Sequence, residues 1–237
     1  MIQRIIDIKT DGISAFDKET RQLVICLASY GITIALGDKQ SGHWISVEVL
    51  QFTEEDMKDI EDLMQKLKQQ SVLLNYTEID AKIFICTPDV MAIPAPLQKD
   101  AEQFLQLQFS FKKIDLVITE PVNTEIIAAL KINSNWLGLF TDLFPKATLH
   151  STLGWLITQS LNDCNENRSP MIQIVFYNGL VEIVVVKNDQ LLIAKCFHFQ
   201  AIEDINYQLL NICKHLYINP SEAIVKVQGL IQSGSPL

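Results

Sequence analysis

The feature that most constrains the fold of this chain is a unit of three predicted strands and one amphipathic helix, which occurs twice. Residues 22–70 carry the first copy and begin QLVICLASYGITIALGDKQSGHWISVEVLQF. Residues 171–217 carry the second copy and begin MIQIVFYNGLVEIVVVKNDQLLIAKCFHF. The copies align on Gly31 and Gly179 and agree in the pattern of apolar residues rather than in residue identity. This duplication predicts an α/β protein with two related lobes.

Composition and charge exclude several classes of protein. The chain has 237 residues, 48% of them hydrophobic, and a chain of this length buries roughly 70–75% of its unfolded surface without needing disulfides. Its formal net charge of −9 argues against nucleic acid or anionic lipid as a partner. The N-terminus is charged too early for a signal peptide, and no apolar run approaches the ~20 residues of a membrane-spanning helix. We therefore expect a cytoplasmic protein without membrane insertion.

The cysteines predict neither disulfides nor a metal site. They are odd in number and far apart in sequence: Cys26, Cys86, Cys164, Cys196 and Cys213. No C-x-x-C pair and no Cys/His group has the spacing of zinc ligands. We therefore expect free thiols in a reducing compartment and no bound metal.

Breaks in the apolar pattern divide the chain into four parts. We predict an N-terminal arm at residues 1–20, a first lobe at 21–93 and 147–165, an inserted subdomain at 94–146 and a second lobe at 166–237. The loop-like sequence CNENRSP marks the boundary of the second lobe.

The first helix is predicted to open at Thr53, ahead of three acidic residues. A threonine side chain can accept from the free backbone N–H groups of a first turn, and acidic residues there suit the helix dipole. Four apolar residues at steps of three and four then form one stripe: Ile60, Leu63, Met64 and Leu67.

Short phrases in the second copy resemble a known family. KNDQLL, YINPSE and VQG, together with the long helix, are similar to a bacterial family of unknown function, chiefly from the Bacteroidetes, that has an actin-like ATPase fold. The order of elements in the middle of the chain is also similar to the actin-like protein of type IV pilus assembly. The resemblance covers roughly residues 20 to 230. It implies an actin-like, ribonuclease H-like fold with two lobes and a small inserted subdomain.

The same resemblance implies where a nucleotide would bind. In this superfamily the first hairpin of each lobe has an acidic turn that holds phosphate and magnesium, and a glycine pair near the last strand backs onto adenosine. The matching residues here are Ser29, Tyr30 and Gly31, then Tyr177, Asn178 and Gly179, then Gly229 alone. Neutral side chains cannot replace carboxylates around Mg²⁺. The resemblance therefore implies a residual nucleotide cleft without efficient catalysis, and it also expects more chain beyond Leu237.

The inserted segment is the place where a partner groove is predicted. Phe104, Phe109 and Phe111 lie there together with several leucines. An apolar stripe beside strands suits peptide recognition, and a comparable cleft of the pilus protein accepts a short peptide from a membrane partner.

Our leading hypothesis is a non-catalytic, pseudo-ATPase protein that acts as an interaction or assembly module, through peptide capture or homodimerisation, and we lean against an enzyme. The alternative is a protein that binds ATP or ADP with weak or no hydrolysis and has no other cofactor. A third hypothesis is a small hydrolase that uses His150 and a nearby serine, although no nucleophile-elbow sequence is present.

Several conspicuous residues have ordinary structural explanations. The string Asp11-Gly12-Ile13-Ser14 looks like a phosphate-binding turn but is predicted to be a simple loop. His198 is expected on the exposed face of a strand. The three tryptophans are expected in the core or between packed elements: Trp44, Trp136 and Trp155.

Overall fold

The computed structural model describes residues 2–9, 19–164 and 169–231. The chain divides into two compact units. The first unit comprises Met1–Ile85, Lys112–Leu116 and Ile132–His150, and the second comprises Cys86–Phe111, Val117–Lys131 and Ser151–Leu237. The segment 94–146, predicted to be one inserted subdomain, is thus shared between the two units.

The first unit contains a six-stranded sheet and two helices. The strands are β1 (Gln3–Lys9), β2 (Arg21–Ala28), β3 (Gly31–Asp38), β4 (Trp44–Gln51), β5 (Asp80–Ile85) and β9 (Thr148–Ser151). Their order across the sheet is β1-β4-β3-β2-β5-β9. Strands β2, β3 and β4 pair antiparallel, whereas β2 and β5 pair parallel. The helices of this unit are α1 (Ile60–Gln70) and α3 (Ser134–Leu143).

Helix α1 begins later than its sequence predicts. The backbone N–H and the hydroxyl of Thr53 both donate to the carboxylate of Asp56, so these two residues close a turn of their own. A single 3₁₀ turn follows at Asp56–Lys58. The side chain of Asp59 then accepts from the Asp62 N–H and is the true N-cap of α1. The predicted apolar stripe is confirmed in that Leu63, Met64 and Leu67 are buried, with Ile60 at its half-buried edge.

The second unit contains a four-stranded sheet with a helix on each face. Its strands are β10 (Met171–Phe176), β11 (Leu180–Lys187), β12 (Gln190–His198) and β13 (Ile224–Gly229), in the order β12-β11-β10-β13. Its helices are α4 (Thr152–Cys164) and α5 (Ile202–His215). The turn between β11 and β12 has left-handed φ angles at both Asn188 (49°) and Asp189 (61°). Two successive positive φ angles are the geometry of a tight hairpin turn, which asparagine and aspartate tolerate well.

Alternation along β11 decides which residues face each helix. Val181, Ile183 and Val185 belong to the cluster that packs against α5. Successive strand residues point to opposite faces of a sheet, so Glu182 lies on the other face, which contacts α4.

The predicted succession of three strands and a helix is confirmed in both copies, as β2-β3-β4-α1 and β10-β11-β12-α5.

A smaller sheet has the strand order β6-β8-β7, with β6 at Val90–Pro94, β7 at Asp115–Pro121 and β8 at Ile126–Asn133. Helix α2 (Ala101–Gln108) accompanies it. Strands β6 and β8 pair antiparallel within the second unit. Strand β6 was not predicted, because Pro94 at its end and Pro96 just after it indicated only a break in structure.

Several predictions need correction. The predicted N-terminal arm contains strand β1, which pairs with β4. Two of the three tryptophans are not in the core, because Trp44 is 55% exposed and Trp155 is 44% exposed. Trp136 is buried and makes edge-to-face contacts with Phe52 and Phe140.

The string that begins at Asp11 lies outside the described residues. Among the described residues, no helix is long and apolar enough to cross a membrane.

Candidate functional site

The turn between β2 and β3 holds the first group of predicted site residues. Ala28 and Gly31 face each other across the hairpin, so Ser29 and Tyr30 form a two-residue connection. The backbone carbonyl of Tyr30 accepts from the Phe52 N–H at 3.0 Å, which ties the turn to the end of β4. Both turn side chains are half-buried. The turn offers a hydroxyl from Ser29 and no carboxylate.

The turn between β10 and β11 holds the second group. The Tyr177 N–H donates to the Leu180 carbonyl at 2.8 Å and closes the turn around Asn178 and Gly179. Gly179 has a φ of +75°, a left-handed conformation that favours glycine. One ring nitrogen of His198 lies 3.3 Å from the Gly179 carbonyl oxygen, and His198 is exposed as predicted.

Gly229 lies beside the start of this second turn, at the end of β13. It pairs in parallel register with Phe176, the residue before Tyr177. Its φ is +100°, and a Cβ there would lie 2.7 Å from the Phe176 nitrogen and closer still to its carbonyl oxygen. The need for glycine is therefore explained by strand packing alone. The structure places Gly229 and the second turn together in the second unit, while Ser29, Tyr30 and Gly31 belong to the first unit.

A buried carboxylate lies below the second turn. Glu182 is fully buried in β11. Its carboxylate accepts from the Thr152 hydroxyl at the start of α4, from the Tyr177 hydroxyl at 3.2 Å and from the Cys86 thiol at 3.8 Å. Burial raises the pKa of Glu182 to about 7, and the three hydrogen bonds oppose that shift. A fully buried acid in this position has no surface from which to reach a solvated ion.

Two thiols accompany this carboxylate. Cys196 on β12 is the direct cross-strand partner of Glu182, and Cys86 follows directly after β5. The hydrogen bond with Cys86 lowers the pKa of the Cys196 thiol, but burial and the charge of Glu182 outweigh it, so the pKa is raised. The Cys196 thiol is therefore protonated at neutral pH.

A second carboxylate caps helix α4. The Ser151 N–H donates to the Glu120 carboxylate at 2.6 Å, and the Ser151 hydroxyl accepts from the Gly154 N–H at 3.1 Å. A carboxylate at this end of a helix is stabilised by the helix dipole and by the free N–H groups of the first turn. These contacts give Glu120 and Ser151 a structural role.

The three phenylalanines of the predicted partner groove cluster against the smaller sheet. Phe104, Phe109 and Phe111 are each half-buried and pack on a core formed by Ile93, Ala101, Leu105, Ile127 and Ala129. The ammonium group of Lys131 lies 5.3 Å from the centre of the Phe111 ring and 2.8 Å from the Asp89 carboxylate. The cluster therefore has a buried side, which stabilises the second unit, and an exposed side.

His150 is engaged within the first unit. Its Nε2 lies 2.9 Å from the Thr148 hydroxyl, and its ring lies 5.1 Å from the ring of Phe84. This arrangement agrees with a structural role for His150. The hydrolase hypothesis gains no support from these contacts.

The first unit also contains an open cavity of about 560 Å³ between the start of α1 and α3. Its polar lining residues are Lys58, Asp59, Glu61, Ser134, Asn135 and Asp142. None of the predicted site residues lies in it.

The buried group around Glu182 was missed by sequence analysis. One signal was available, because an acid inside the apolar run LVEIVVV must be either paired or neutral if the strand is buried. No local sequence pattern could have predicted that Cys86 lies beside Glu182, because the two residues are 96 positions apart in sequence.

Comparison with solved structures identifies the fold. A protein of Bacteroides thetaiotaomicron VPI-5482 with an actin-like ATPase fold and unknown function superposes with a TM-score of 0.79 at 18% identity, over 91% of this chain and 84% of that chain. A chain of the PilM-PilN type IV pilus biogenesis complex superposes with a TM-score of 0.50 at 10% identity, over 84% of this chain and 66% of that chain. At such identities the likeness shows the fold alone. The predicted actin-like, two-lobed α/β fold is thereby confirmed.

Sequence comparison gives the family. No curated protein has a significantly similar sequence. The model of a family described as "Protein of unknown function (DUF3822)" matches residues 11–237, so the chain belongs to this family, as the short phrases in its second copy indicated.

Proposed function

We propose that this chain is a non-catalytic actin-like protein that acts as an interaction or assembly module. One observation carries the proposal. Both hairpin turns present neutral residues, and the acid bonded to Tyr177 in the second turn, Glu182, is fully buried.

The chemistry of phosphoryl transfer makes this observation informative. Mg²⁺ is held through carboxylates, phosphate oxygens and retained waters, and catalysis rests almost entirely on positioning and electrostatic stabilisation. The hydroxyl of Ser29 and the amide of Asn178 supply no negative charge. A carboxyl group with a pKa near 7 that is hydrogen-bonded inside a sheet cannot move to a phosphate without leaving three donors unsatisfied.

The second half of the proposal is that the scaffold binds a protein or peptide. The PilM-PilN complex is an example in which a protein similar in fold takes part in an assembly. On this chain, the phenylalanine cluster adjoins α2, whose Leu107 is 85% exposed. A half-buried aromatic cluster beside an exposed leucine is the surface composition that peptide grooves use.

Catalysis is tested with purified protein and magnesium ATP. We expect phosphate release no faster than in the protein-free control. Robust magnesium-dependent hydrolysis that is abolished by Ser29→Ala or Asn178→Ala would overturn the proposal.

Partner binding is tested with a matched pair of surface variants. Leu107→Asp changes the proposed surface, and Leu210→Asp changes an exposed leucine of α5 that is 65% exposed. Affinity capture from native cells should recover a partner with the wild type and with Leu210→Asp but not with Leu107→Asp. Equal recovery by all three proteins would show that α2 is not the interaction surface.

Residual nucleotide binding is a second candidate, favoured by a glycine in or directly beside each turn: Gly179 lies within the second turn, and Gly31 is the first residue after the first turn. Without a Cβ, backbone N–H groups can approach a phosphate closely. A ligand at 100 times its dissociation constant adds about 2.7 kcal/mol to stability. A clear increase in melting temperature with ATP or ADP would support this candidate, and an unchanged melting temperature would eliminate it.

A further inference from the structure

Three potential metal ligands meet in the interior of the second unit. They are the thiols of Cys86 and Cys196 and the carboxylate of Glu182, and one ligand atom from each lies within 4.8 Å of the other two. The distance from the Cys86 sulfur to Glu182 Oε1 is 3.8 Å. All three residues are buried. Among the described residues, this is the one group of three or more such side chains that converges in this way.

The spacing suits a tetrahedral ion. With zinc–sulfur bonds of about 2.3 Å and zinc–oxygen bonds of about 2.0–2.2 Å, tetrahedral angles put a sulfur and an oxygen ligand roughly 3.5 Å apart and two sulfurs roughly 3.8 Å apart. The Cys86–Glu182 distance is already close to the first of these values. The remaining contraction is at most about 1.3 Å, from the 4.8 Å limit to roughly 3.5 Å for a sulfur and an oxygen, which side-chain rotation can supply.

The surroundings hold the ligands in place. Glu182 and Cys196 face each other on neighbouring strands, so the sheet fixes their separation. The hydroxyls of Thr152 and Tyr177 both donate to the carboxylate of Glu182 and orient it. Such partners around a ligand are the usual way in which a protein tunes a metal site. The three ligands leave a fourth coordination position on the ion for a hydroxyl or a water.

The donor set selects the class of ion. Two thiolates favour a soft or borderline metal, whereas Mg²⁺ and Ca²⁺ prefer oxygen ligands. Zinc is redox-inert and accepts sulfur and carboxylate oxygen together. Neither Cys86 nor Cys196 forms a disulfide, so no disulfide competes for these ligands.

We propose that Cys86, Glu182 and Cys196 form a buried structural zinc site in the second unit. The ion would join the segment that begins at Cys86 to strands β11 and β12. This site is independent of the proposed interaction function and of any nucleotide. Since the ligands are buried, the ion enters while the chain folds.

The test uses full-length protein refolded with zinc or with cobalt as a spectroscopic probe. We expect one zinc per chain by elemental analysis after gel filtration, and a thiolate-to-cobalt charge-transfer band from the cobalt form. Cys86→Ser and Cys196→Ser should each weaken zinc binding at least tenfold and reduce the charge-transfer band by about half, since one of two thiolates is removed. Cys213→Ser, which removes a buried thiol of α5 outside the group, should leave both readouts unchanged.

The site is refuted if the refolded wild type, with native circular dichroism, retains less than a tenth of an equivalent of zinc and shows no cobalt charge-transfer band. It is also refuted if Cys86→Ser and Cys196→Ser bind zinc as tightly as Cys213→Ser. Glu182→Gln, which keeps the shape of the side chain, covers the case in which a serine variant does not fold. This variant should retain the charge-transfer band but bind zinc at least tenfold more weakly, and unchanged affinity would remove Glu182 from the ligand set.

Discussion

Replacement of Gly229 by alanine gives the sharpest test of the packing described for the second unit. Strand β13 ends where Gly229 pairs with Phe176, and the Leu230 N–H then donates to the Phe176 carbonyl at 2.9 Å. An alanine Cβ would lie 2.7 Å from the Phe176 nitrogen and 2.9 Å from its carbonyl carbon. Ordinary contacts of a Cβ begin near 3.4 Å. The end of β13 must therefore separate from β10.

The magnitude follows from two effects. A non-glycine residue held at a sparsely populated positive φ costs on the order of 1–3 kcal/mol, and the φ of Gly229 is +100°. Loss of the Leu230 hydrogen bond costs roughly 1 kcal/mol more. We therefore expect Gly229→Ala to reduce the free energy of unfolding by about 2–4 kcal/mol, a large part of the 5–15 kcal/mol typical of a folded domain.

The assay is urea unfolding followed by circular dichroism, with hydrogen exchange to identify the unit that loses stability. The control is Gly138→Ala in helix α3, where an added Cβ meets nothing within 4 Å. Alanine in a helix interior should stabilise by about 0.5–1 kcal/mol. A loss below about 1 kcal/mol for Gly229→Ala, or loss of protection outside β10 and β13, would refute the steric argument.

Three further predictions concern the interiors and a surface turn. The Ser41 backbone N–H, with help from the Ser41 hydroxyl, lowers the pKa of Asp38 from its ordinary value of 3.8. Stability from this carboxylate is therefore present above about pH 4 and is lost as pH falls. The urea midpoints of the wild type and Asp38→Ala should differ at pH 6 and approach each other as pH falls below about 4. Burial raises the pKa of Glu182 to about 7. In chelator-treated protein, the stability that this side chain contributes is therefore largest below the ordinary carboxyl pKa and declines as pH rises through 7. The free energy of unfolding of the wild type should fall relative to that of Glu182→Gln between pH 5 and pH 8, and an unchanged difference over this range would contradict the raised pKa. Phe140 is fully buried, so Phe140→Ala should cost about 3–5 kcal/mol by urea unfolding, whereas Ile8→Ala on the exposed strand β1 should cost less than about 1 kcal/mol.

The duplicated unit was predictable because its strands alternate and its helices carry one apolar stripe. The turn at Asn188 and Asp189 was also predictable from the sequence, since these residue types accept the positive φ angles of a tight hairpin. Strand β1 was not predictable in this way. It is an edge strand whose residues are mostly exposed, with charges at Arg4, Asp7 and Lys9. Charged edge strands protect a sheet against further pairing, and the same charges make them look like loops in sequence.

Local competition and long-range contacts explain the other differences. Thr53 has a side chain that can cap a helix, but its hydroxyl donates to the carboxylate of Asp56 instead. Asp59 is therefore the N-cap of α1. Trp44 and Trp155 are exposed because tryptophan is amphipathic and its burial depends on the surrounding fold. The group of Cys86, Glu182 and Cys196 is created by strand pairing and by a segment distant in sequence, and no local pattern encodes such proximity.

The placement of charge in the second copy connects its fold with its proposed use. The turn at Tyr177, Asn178 and Gly179 has no acid, yet an acid lies three residues farther on, inside a strand of valines and isoleucines. An apolar residue at position 182 would avoid the cost of burying a carboxyl group. Three hydrogen bonds offset that cost, because the Glu182 carboxylate accepts from the hydroxyls of Thr152 and Tyr177 and from the thiol of Cys86. A carboxylate at the turn surface could hold a magnesium ion beside a phosphate, whereas the buried carboxylate of Glu182 binds groups of the second unit itself and so stabilises the scaffold.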